Sequence, residues 1–485
     1  MVSASPWRRA AVTPRWPEVV LGAGVVGAVL AAVAAPLASL LLGIAVAVTA
    51  LLVKRPFFIA AALIVCMGNV KANYYLGFFT VFPEYLVLAV AASISFVAWL
   101  ARPAWPPERR LALVFMLWIA TGILSVPFAA SVSKVLSRVV LIGVAGVTFF
   151  TVIRTVDTLA RLRRAVALWG LTATLYACYG IVQMVGLVAG FDTSVMFLSR
   201  WTNPDIYLGV GAPVRRRIGD VFRANAMFND PNILGGYLAA AITLMLALRF
   251  HHAETGRRVR ARWETVGLFL MAACLLLTQS RSGVLATLTG AAIVLAHRPR
   301  VLRRPALWIA AGVSLAAMVG VALVVSIDPT LLASRFAGTG DLTDPSNRQH
   351  LEVFQYGLEL IARYPLTGVG LGNFGLFYGP ERDAYFVKMM THCAPLTYFA
   401  ESGIPGGLAF SGVWALVLHR VWRGAPARGD ALGETLRVAL FSAVISLLVA
   451  NLFYDYILRT FIWVIAGLAV CVARLVPERG SGAAA

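Results

Sequence analysis

Residues 263–296 decide the fold, and they read WETVGLFLMAACLLLTQSRSGVLATLTGAAIVLA. Two apolar runs, Trp263–Leu277 and Val284–Ala296, flank a short polar turn. A membrane helix needs roughly 20 predominantly apolar residues, with a working range of about 17–25, because the hydrocarbon core is about 30 Å thick. The pattern predicts two membrane helices that form a tight hairpin around residues 279–282.

The composition of the whole chain extends this interpretation. Of the 485 residues, 60% are hydrophobic and 13% are charged, whereas soluble domains contain about 45–50% and about 25%. The mean hydropathy is +0.80. A soluble fold cannot bury so much apolar surface, which excludes a soluble enzyme, a small disulfide scaffold and a disordered chain. The five cysteines are scattered and show neither disulfide nor metal-binding spacing.

Fourteen apolar segments are predicted to span a bilayer. The fold class is therefore all-α, a polytopic membrane protein with about 14 (12–14) transmembrane helices, and residues 1–485 form a single integral membrane domain. The third segment is the shortest of them. In chain order the segments are Val19–Ala35, Leu37–Val53, Phe57–Met67, Tyr85–Leu100, Leu111–Phe128, Val139–Ile153, Ala165–Ala189, Ile233–Leu248, Trp263–Leu277, Val284–Ala296, Ala306–Ile327, Leu396–Leu418, Val438–Phe453 and Ile457–Ala473.

The basic residues predict which loops face the cytoplasm. The formal net charge is +20, and Lys and Arg are retained on the cytoplasmic side of membrane proteins. With both termini in the cytoplasm, nearly all of the net charge falls in the inner loops. The basic composition is therefore a topology signal and does not indicate nucleic-acid binding. The expected location is the inner (cytoplasmic) membrane of a bacterium, with the active site facing the periplasm.

Two predicted periplasmic loops are unusually long, residues 190–232 and residues 328–395. Loops longer than about 12–15 residues are usually functional or disordered, and the polar and aromatic composition of these two favours function. The second contains a predicted amphipathic helix at about 347–364. Its apolar residues at helical spacing, namely Leu351, Phe354, Leu358 and Ile361, predict a helix that lies on the outer leaflet or one that packs on the protein.

Arginines stand at two predicted helix ends. Asp230 and Pro231 predict a capped helix start, and Arg223 precedes it. A helix N-terminus attracts anions, although a capped helix with a surface arginine is an alternative. Arg281 lies at the outer edge of the hairpin, where an arginine marks a functional site by default or extends its side chain to the interface.

The second long loop ends with His392, and Glu401 follows inside the next span. A buried carboxylate requires a partner, and histidine titrates near neutral pH. The glycines of residues 368–372 predict a tight turn near the membrane. Arginine forks match phosphate oxygens, whereas no acidic cluster has the spacing of a metal site. A phosphate-bearing lipid is therefore the expected substrate, with neither metal nor cofactor.

At these motifs the sequence resembles the O-antigen ligase and O-antigen polymerase superfamily. The resemblance covers about residues 215–407. It is carried by FRANAMFNDPN at 222–232, TQSRSG at 278–283, GVGLGNF at 368–374 and the segment 392–407. Within the last segment, Cys393 and Gly406 depart from the ligase pattern, which weakens an assignment as a ligase more than membership of the superfamily.

The resemblance implies a metal-independent, integral-membrane glycosyltransferase. Its donor is a glycan on undecaprenyl diphosphate, and its partners are that donor, the acceptor and membrane lipids. A ligase passes the glycan to lipid A–core. The resemblance assigns Arg223 and Arg281 to the diphosphate and His392 to the acceptor hydroxyl. Further substrate-binding residues are expected at Arg215, Arg348, Glu401, Asn229 and Asn232.

Two alternatives remain. A repeat-unit polymerase would pass the glycan to the sugar of another lipid-linked repeat, and the acceptor distinguishes it from a ligase. A transporter of lipid-linked sugars belongs to a different class. Transporters place their sites near the bilayer midplane on repeated halves, whereas this chain shows no repeat and gathers its polar residues at the outer rim.

Overall fold

A computed structural model describes most of the chain from residue 54 to residue 475. Three predicted spans, Val19–Ala35, Leu37–Val53 and Ala306–Ile327, lie outside the described residues. The described ranges are 54–67, 74–75, 80–81, 83–101, 108–189, 214–215, 222–228, 230–298, 345–378, 391–424 and 430–475.

The described residues are mainly helical. Two short antiparallel pairs of strands accompany the helices, with β1 (Tyr74–Tyr75) on β2 (Thr80–Val81) and β3 (Val214–Arg215) on β4 (Phe222–Arg223). The helices are α1 Phe57–Cys66, α2 Pro83–Ala101, α3 Arg109–Leu124, α4 Val132–Thr155, α5 Leu159–Val188, α6 Pro231–Glu254, α7 Arg258–Thr278, α8 Arg281–Ala296, α9 Pro345–Arg363, α10 Phe374–Tyr378, α11 Ala394–Arg423, α12 Ala431–Asn451 and α13 Thr460–Leu475.

The chain is a multi-pass membrane protein. Seven helical segments of the described residues are long and apolar enough to cross a membrane, and four more apolar helices are shorter. Every predicted span within the described residues overlaps a helix. The short third span corresponds to α1, which has 10 residues and is too short to cross a bilayer core unaided. The total of fourteen spans stays a prediction.

The interior of the helix bundle is built around α6 and α13. Helix α6 contacts α5, α7, α8 and α12, and α13 contacts α4, α11 and α12. Both helices are buried around nearly their whole circumference, as expected for helices at the centre of a bundle. Small residues allow close approach. The Thr243 hydroxyl of α6 lies 3.2 Å from that of Ser446 on α12.

Helix α9 covers most of the segment for which an amphipathic helix is predicted, and most of the predicted apolar stripe is exposed on it. Leu351, Phe354 and Leu358 are 42%, 40% and 49% exposed. Contact with α11 comes instead from a face that includes Gly357, against which Leu396 packs. Ile361, the fourth residue of the stripe, packs against a small core cluster that includes Val353 and Leu360, so part of the stripe is packed and part is exposed.

Several contacts join loops that are predicted to lie on the same side of the membrane. Arg298 pairs with Glu254, and Arg420 and Arg474 both approach Glu108. All of these residues belong to the group of loops predicted to be cytoplasmic. Contacts at the opposite helix ends join loops of the predicted periplasmic group, and that end of the bundle carries the candidate site.

Candidate functional site

The C-terminal end of α7 carries one side of the candidate site. The last carbonyl groups of a helix have no partner within the helix. Here the segment 222–228 supplies hydrogen-bond donors to two of them. The Ala224 amide donates to the Leu277 carbonyl at 3.0 Å, and Arg223 Nε donates to the Thr278 carbonyl at 2.7 Å. This docking holds the first predicted arginine at the turn that carries Arg281.

Arg223 is buried, with 4% of its surface exposed. Its Nη2 donates to Asn232 Oδ1 at 2.8 Å and approaches the Gln279 carbonyl at 3.5 Å. The side chain thus ties the end of α7 to the start of α6. The alternative of a surface arginine is wrong, because both neighbouring helix ends supply acceptors that hold the guanidinium inside the protein.

Arg281 is the first residue of α8. Ser280 caps this helix by accepting from the Gly283 amide at 3.2 Å. A Cβ atom on Gly283 would lie 2.9 Å from the carbonyl carbon of Gly235, so glycine is required where the first turns of α6 and α8 touch. Two helix N-termini with partial positive charge therefore lie together, and Arg223 bonds the start of one while Arg281 begins the other.

The start of α6 confirms the predicted cap. Asp230 Oδ1 accepts from the Asn232 amide at 2.7 Å, and Pro231 is the first helical residue. Asp230 Oδ2 accepts a hydrogen bond from the Tyr454 hydroxyl at 2.8 Å. Tyr454 comes from the turn between α12 and α13, which the sequence analysis did not include in the site.

His392 lies next to the ring of Tyr454, and in the chain it comes shortly before α11. The centroids of their rings are 5.5 Å apart, and the centroid of His350 on α9 is 4.4 Å from that of His392. Burial lowers the pKa of His392, so the imidazole is neutral at pH 7 and can accept a proton. Tyr454 thereby connects the predicted acceptor histidine with the cap of α6 and, through Asn232, with Arg223.

Backbone strain is concentrated in these same segments. Among the described residues, the non-glycine positions with positive φ are Ala226 (46°), Gln279 (52°) and His392 (55°). Such conformations cost about 1–3 kcal/mol each and cluster at functional sites. Gln183 of α5 holds the first of them, because its Oε1 accepts from the Ala226 amide at 2.8 Å and its Nε2 donates to the Ala226 carbonyl at 3.1 Å.

Glu401 has the partners that a buried carboxylate requires. Its oxygens accept from the Gly372 amide at 2.7 Å and from the Phe374 amide at 3.1 Å. The charge of Arg138, on α4, also acts on it. Both amides belong to the glycine-rich turn predicted from the sequence, and Gly368, Gly370 and Gly372 have positive φ there. The contacts give Glu401 a role in holding this turn.

The same turn fills a break in α11. Gly403 adopts φ 68° and ψ −176°, and a Cβ atom there would lie 2.6 Å from the Leu366 carbonyl carbon. The Ala400 carbonyl accepts from the Val369 amide at 3.1 Å, and the Ile404 amide donates to the Pro365 carbonyl at 2.7 Å. Broken helices can form transport sites, but here protein backbone satisfies the groups that the break exposes.

Replacing Glu401 with glutamine is expected to lower the free energy of unfolding by about 1–3 kcal/mol, since the glutamine amide nitrogen cannot accept one of the two backbone hydrogen bonds. Chemical unfolding in detergent measures this. Glu359→Gln is the matched control, because Glu359 is an exposed partner of Arg363 on α9 and its replacement should leave stability unchanged. Unaltered stability with lost transfer in Glu401→Gln would instead assign Glu401 to substrate.

The remaining predicted site residues differ in their surroundings. Asn232 lies within the site, where it accepts from Arg223. The side chain of Arg348 is 74% exposed on α9, where its Nε donates to Glu352 Oε1 at 3.0 Å. Arg215 is paired with Phe222 through β3 and β4, and Asn229 lies outside the described residues.

Sequence reasoning missed Tyr454 and Gln183. A signal for Tyr454 exists, because the short link between two apolar spans reads Tyr454-Asp455-Tyr456 and has Asn451 and Arg459 close to its ends. Gln183 carries no such signal, being one polar residue in a long helix. No group of three or more His, Cys, Asp and Glu side chains suited to a metal ion is found in the part of the chain that the structure describes.

Comparison with known families agrees with the resemblance. Residues 266–411, less than a third of the chain, match the family model described as O-antigen ligase. This match supports the O-antigen ligase and polymerase superfamily, and it points to a membrane glycosyltransferase of that type. Arg281 and His392 lie inside the matched segment, whereas Arg223 and Tyr454 lie outside it. No curated protein matches the chain.

Proposed function

We propose that this member of the O-antigen ligase and polymerase superfamily transfers a glycan from undecaprenyl diphosphate to a sugar hydroxyl of lipid A–core, at the periplasmic face of the inner membrane. One observation carries the proposal. Arg223, the Arg281 turn and His392 come from distant parts of the chain, and the contacts through Tyr454 and Asp230 connect them at one end of the helix bundle.

The arginine side is suited to a diphosphate. Guanidinium groups bind phosphate oxygens through paired hydrogen bonds, and the N-termini of α6 and α8 add partial positive charge. Arg223 is already fixed by the carbonyl of Thr278, so little rearrangement accompanies binding. Cations held in advance stabilise the charge that grows on a departing diphosphate.

The histidine side is suited to activating an acceptor. The acceptor hydroxyl oxygen attacks the anomeric carbon of the donor sugar, and the bond from that carbon to the diphosphate oxygen breaks. The diphosphate leaves with the bonding electron pair, while the hydroxyl proton passes to His392. A base that is neutral near pH 7 meets this requirement, and burial of His392 keeps it in that form.

An acceptor assay tests the proposal. The purified protein in nanodiscs receives a radiolabelled glycan on undecaprenyl diphosphate together with lipid A–core. Label on lipid A–core is expected. Laddered growth on the lipid carrier would instead identify a polymerase, the alternative that the departure at Cys393 leaves open. Movement of a fluorescent lipid-linked glycan across vesicles without a new glycosidic bond would overturn glycosyl transfer altogether.

A further inference from the structure

We propose that Tyr454 is a positioning residue that couples the histidine side of the site to the arginine side. The proposal rests on the proposed function and adds one residue, Tyr454 from the turn between α12 and α13, to the site. This turn lies outside the segment that matches the family model.

The first step is geometric. The Tyr454 ring lies beside that of His392, with centroids 5.5 Å apart and planes tilted by 32°. Its hydroxyl donates to Asp230 Oδ2 at 2.8 Å. The other oxygen of Asp230 accepts from the Asn232 amide, and the Asn232 side chain accepts from Arg223. One tyrosine therefore touches both sides of the site through different parts of its side chain.

The second step concerns the charge of Asp230. A free carboxylate at the start of α6 would repel a diphosphate, because like charges close together are unfavourable in a partly buried site. Here the carboxylate is engaged by the Tyr454 hydroxyl, and both Arg223 and Arg459 exert their charge on this tyrosine. Arg459 also interacts electrostatically with Asp230. The tyrosine hydroxyl thus keeps the carboxylate directed toward the helix cap.

The third step concerns His392. The tyrosine ring lies beside the imidazole, and so does the ring of His350. Burial lowers the pKa of His392, so removing the tyrosine ring is expected to move that pKa back toward its ordinary value. The hydroxyl and the ring of Tyr454 therefore have separable effects, the hydroxyl on the arginine side and the ring on the histidine.

The experiment separates these effects with two substitutions. Tyr454→Phe keeps the ring and removes the hydroxyl, and it is expected to raise the donor KM about tenfold with kcat nearly unchanged, since a hydrogen bond to a charged group is lost. Tyr454→Ala is expected also to lower kcat and to shift the acidic limb of the kcat–pH profile upward. Tyr456→Phe is the matched control, because the buried Tyr456 hydroxyl has no hydrogen-bond partner among the described residues.

A binding measurement separates failure of this inference from failure of the proposed function. Inorganic pyrophosphate is added to each variant, and its affinity follows from the rise in unfolding temperature. Tyr454→Phe is expected to bind it about tenfold more weakly than wild type or Tyr456→Phe does. If wild type transfers no glycan but this difference remains, the proposed function fails and the coupling stands. Equal pyrophosphate affinity and equal donor KM in Tyr454→Phe and wild type would overturn the coupling, as would equal losses in both phenylalanine variants.

Discussion

Replacing His392 with alanine is expected to lower kcat for glycan transfer by about 10²–10⁴-fold, the usual contribution of a general base. The half-buried imidazole lies beside the rings of Tyr454 and His350, and His392 has a strained backbone conformation. Alanine removes the proton acceptor and leaves the arginine side intact. The donor KM should therefore change much less than kcat. Single-turnover transfer in nanodiscs measures both.

The pH profile gives this prediction its sharpest form. Burial lowers the pKa of His392, and the base is active only when neutral. The kcat of wild type should therefore be constant near pH 7 and fall as the pH drops through a value below 6.5, the ordinary pKa of histidine. This acidic limb should be missing in His392→Ala. His297→Ala, at an exposed position at the other end of α8, serves as the control. A loss below tenfold would reduce His392 to a positioning role.

Replacing Arg281 with lysine is expected to remove most of the transfer activity. Lysine keeps the positive charge but cannot form the paired hydrogen bonds by which a guanidinium holds phosphate oxygens. Loss of one preorganised donor to a developing negative charge costs about 10²–10³-fold in kcat. Helix capping by Ser280 is unaffected, because it uses the Ser280 side chain and the Gly283 amide. Unfolding temperature should therefore stay constant while transfer falls.

Arg298→Lys is the matched control for this substitution. Arg298 follows the opposite end of the same helix, where it pairs with Glu254 and donates to Thr435. Its replacement tests what an arginine-to-lysine change does to α8 away from the site, and transfer should be close to that of wild type. Normal turnover in Arg281→Lys would remove this arginine from the diphosphate clamp.

Much of the fold follows from local sequence. Apolar runs of membrane length predict helices wherever the structure describes them, since a helix satisfies all of its backbone groups internally in lipid. The cap of α6 follows from two adjacent residues, Asp230 and Pro231, because capping is local chemistry. Arg223 and Arg281 can also be selected from local sequence, because each is a charged residue beside a predicted helix end in an apolar chain.

The pairings across the chain do not follow from a single sequence. Tyr454 reaches Asp230 from more than 200 residues away, and nothing in either segment encodes that distance. The hydrogen bond from the Ala226 amide to Gln183 likewise joins two separate segments, and neither segment encodes it. Glu401 is a third case, because its position in a span does not reveal that it bonds the backbone amides of Gly372 and Phe374.

The two sides of the site are attached to the protein by different means. The arginine side is fixed through main-chain groups, with segment 222–228 bonded to carbonyls of α7 and the glycines of α6 and α8 in contact. The histidine side meets it through the rings of His392 and Tyr454. Contacts between side chains change when residues are substituted, whereas hydrogen bonds between main-chain groups persist through most substitutions. Under the proposed function, an enzyme of this design can diversify the sugars it accepts over evolutionary time while the lipid carrier that it recognises stays the same.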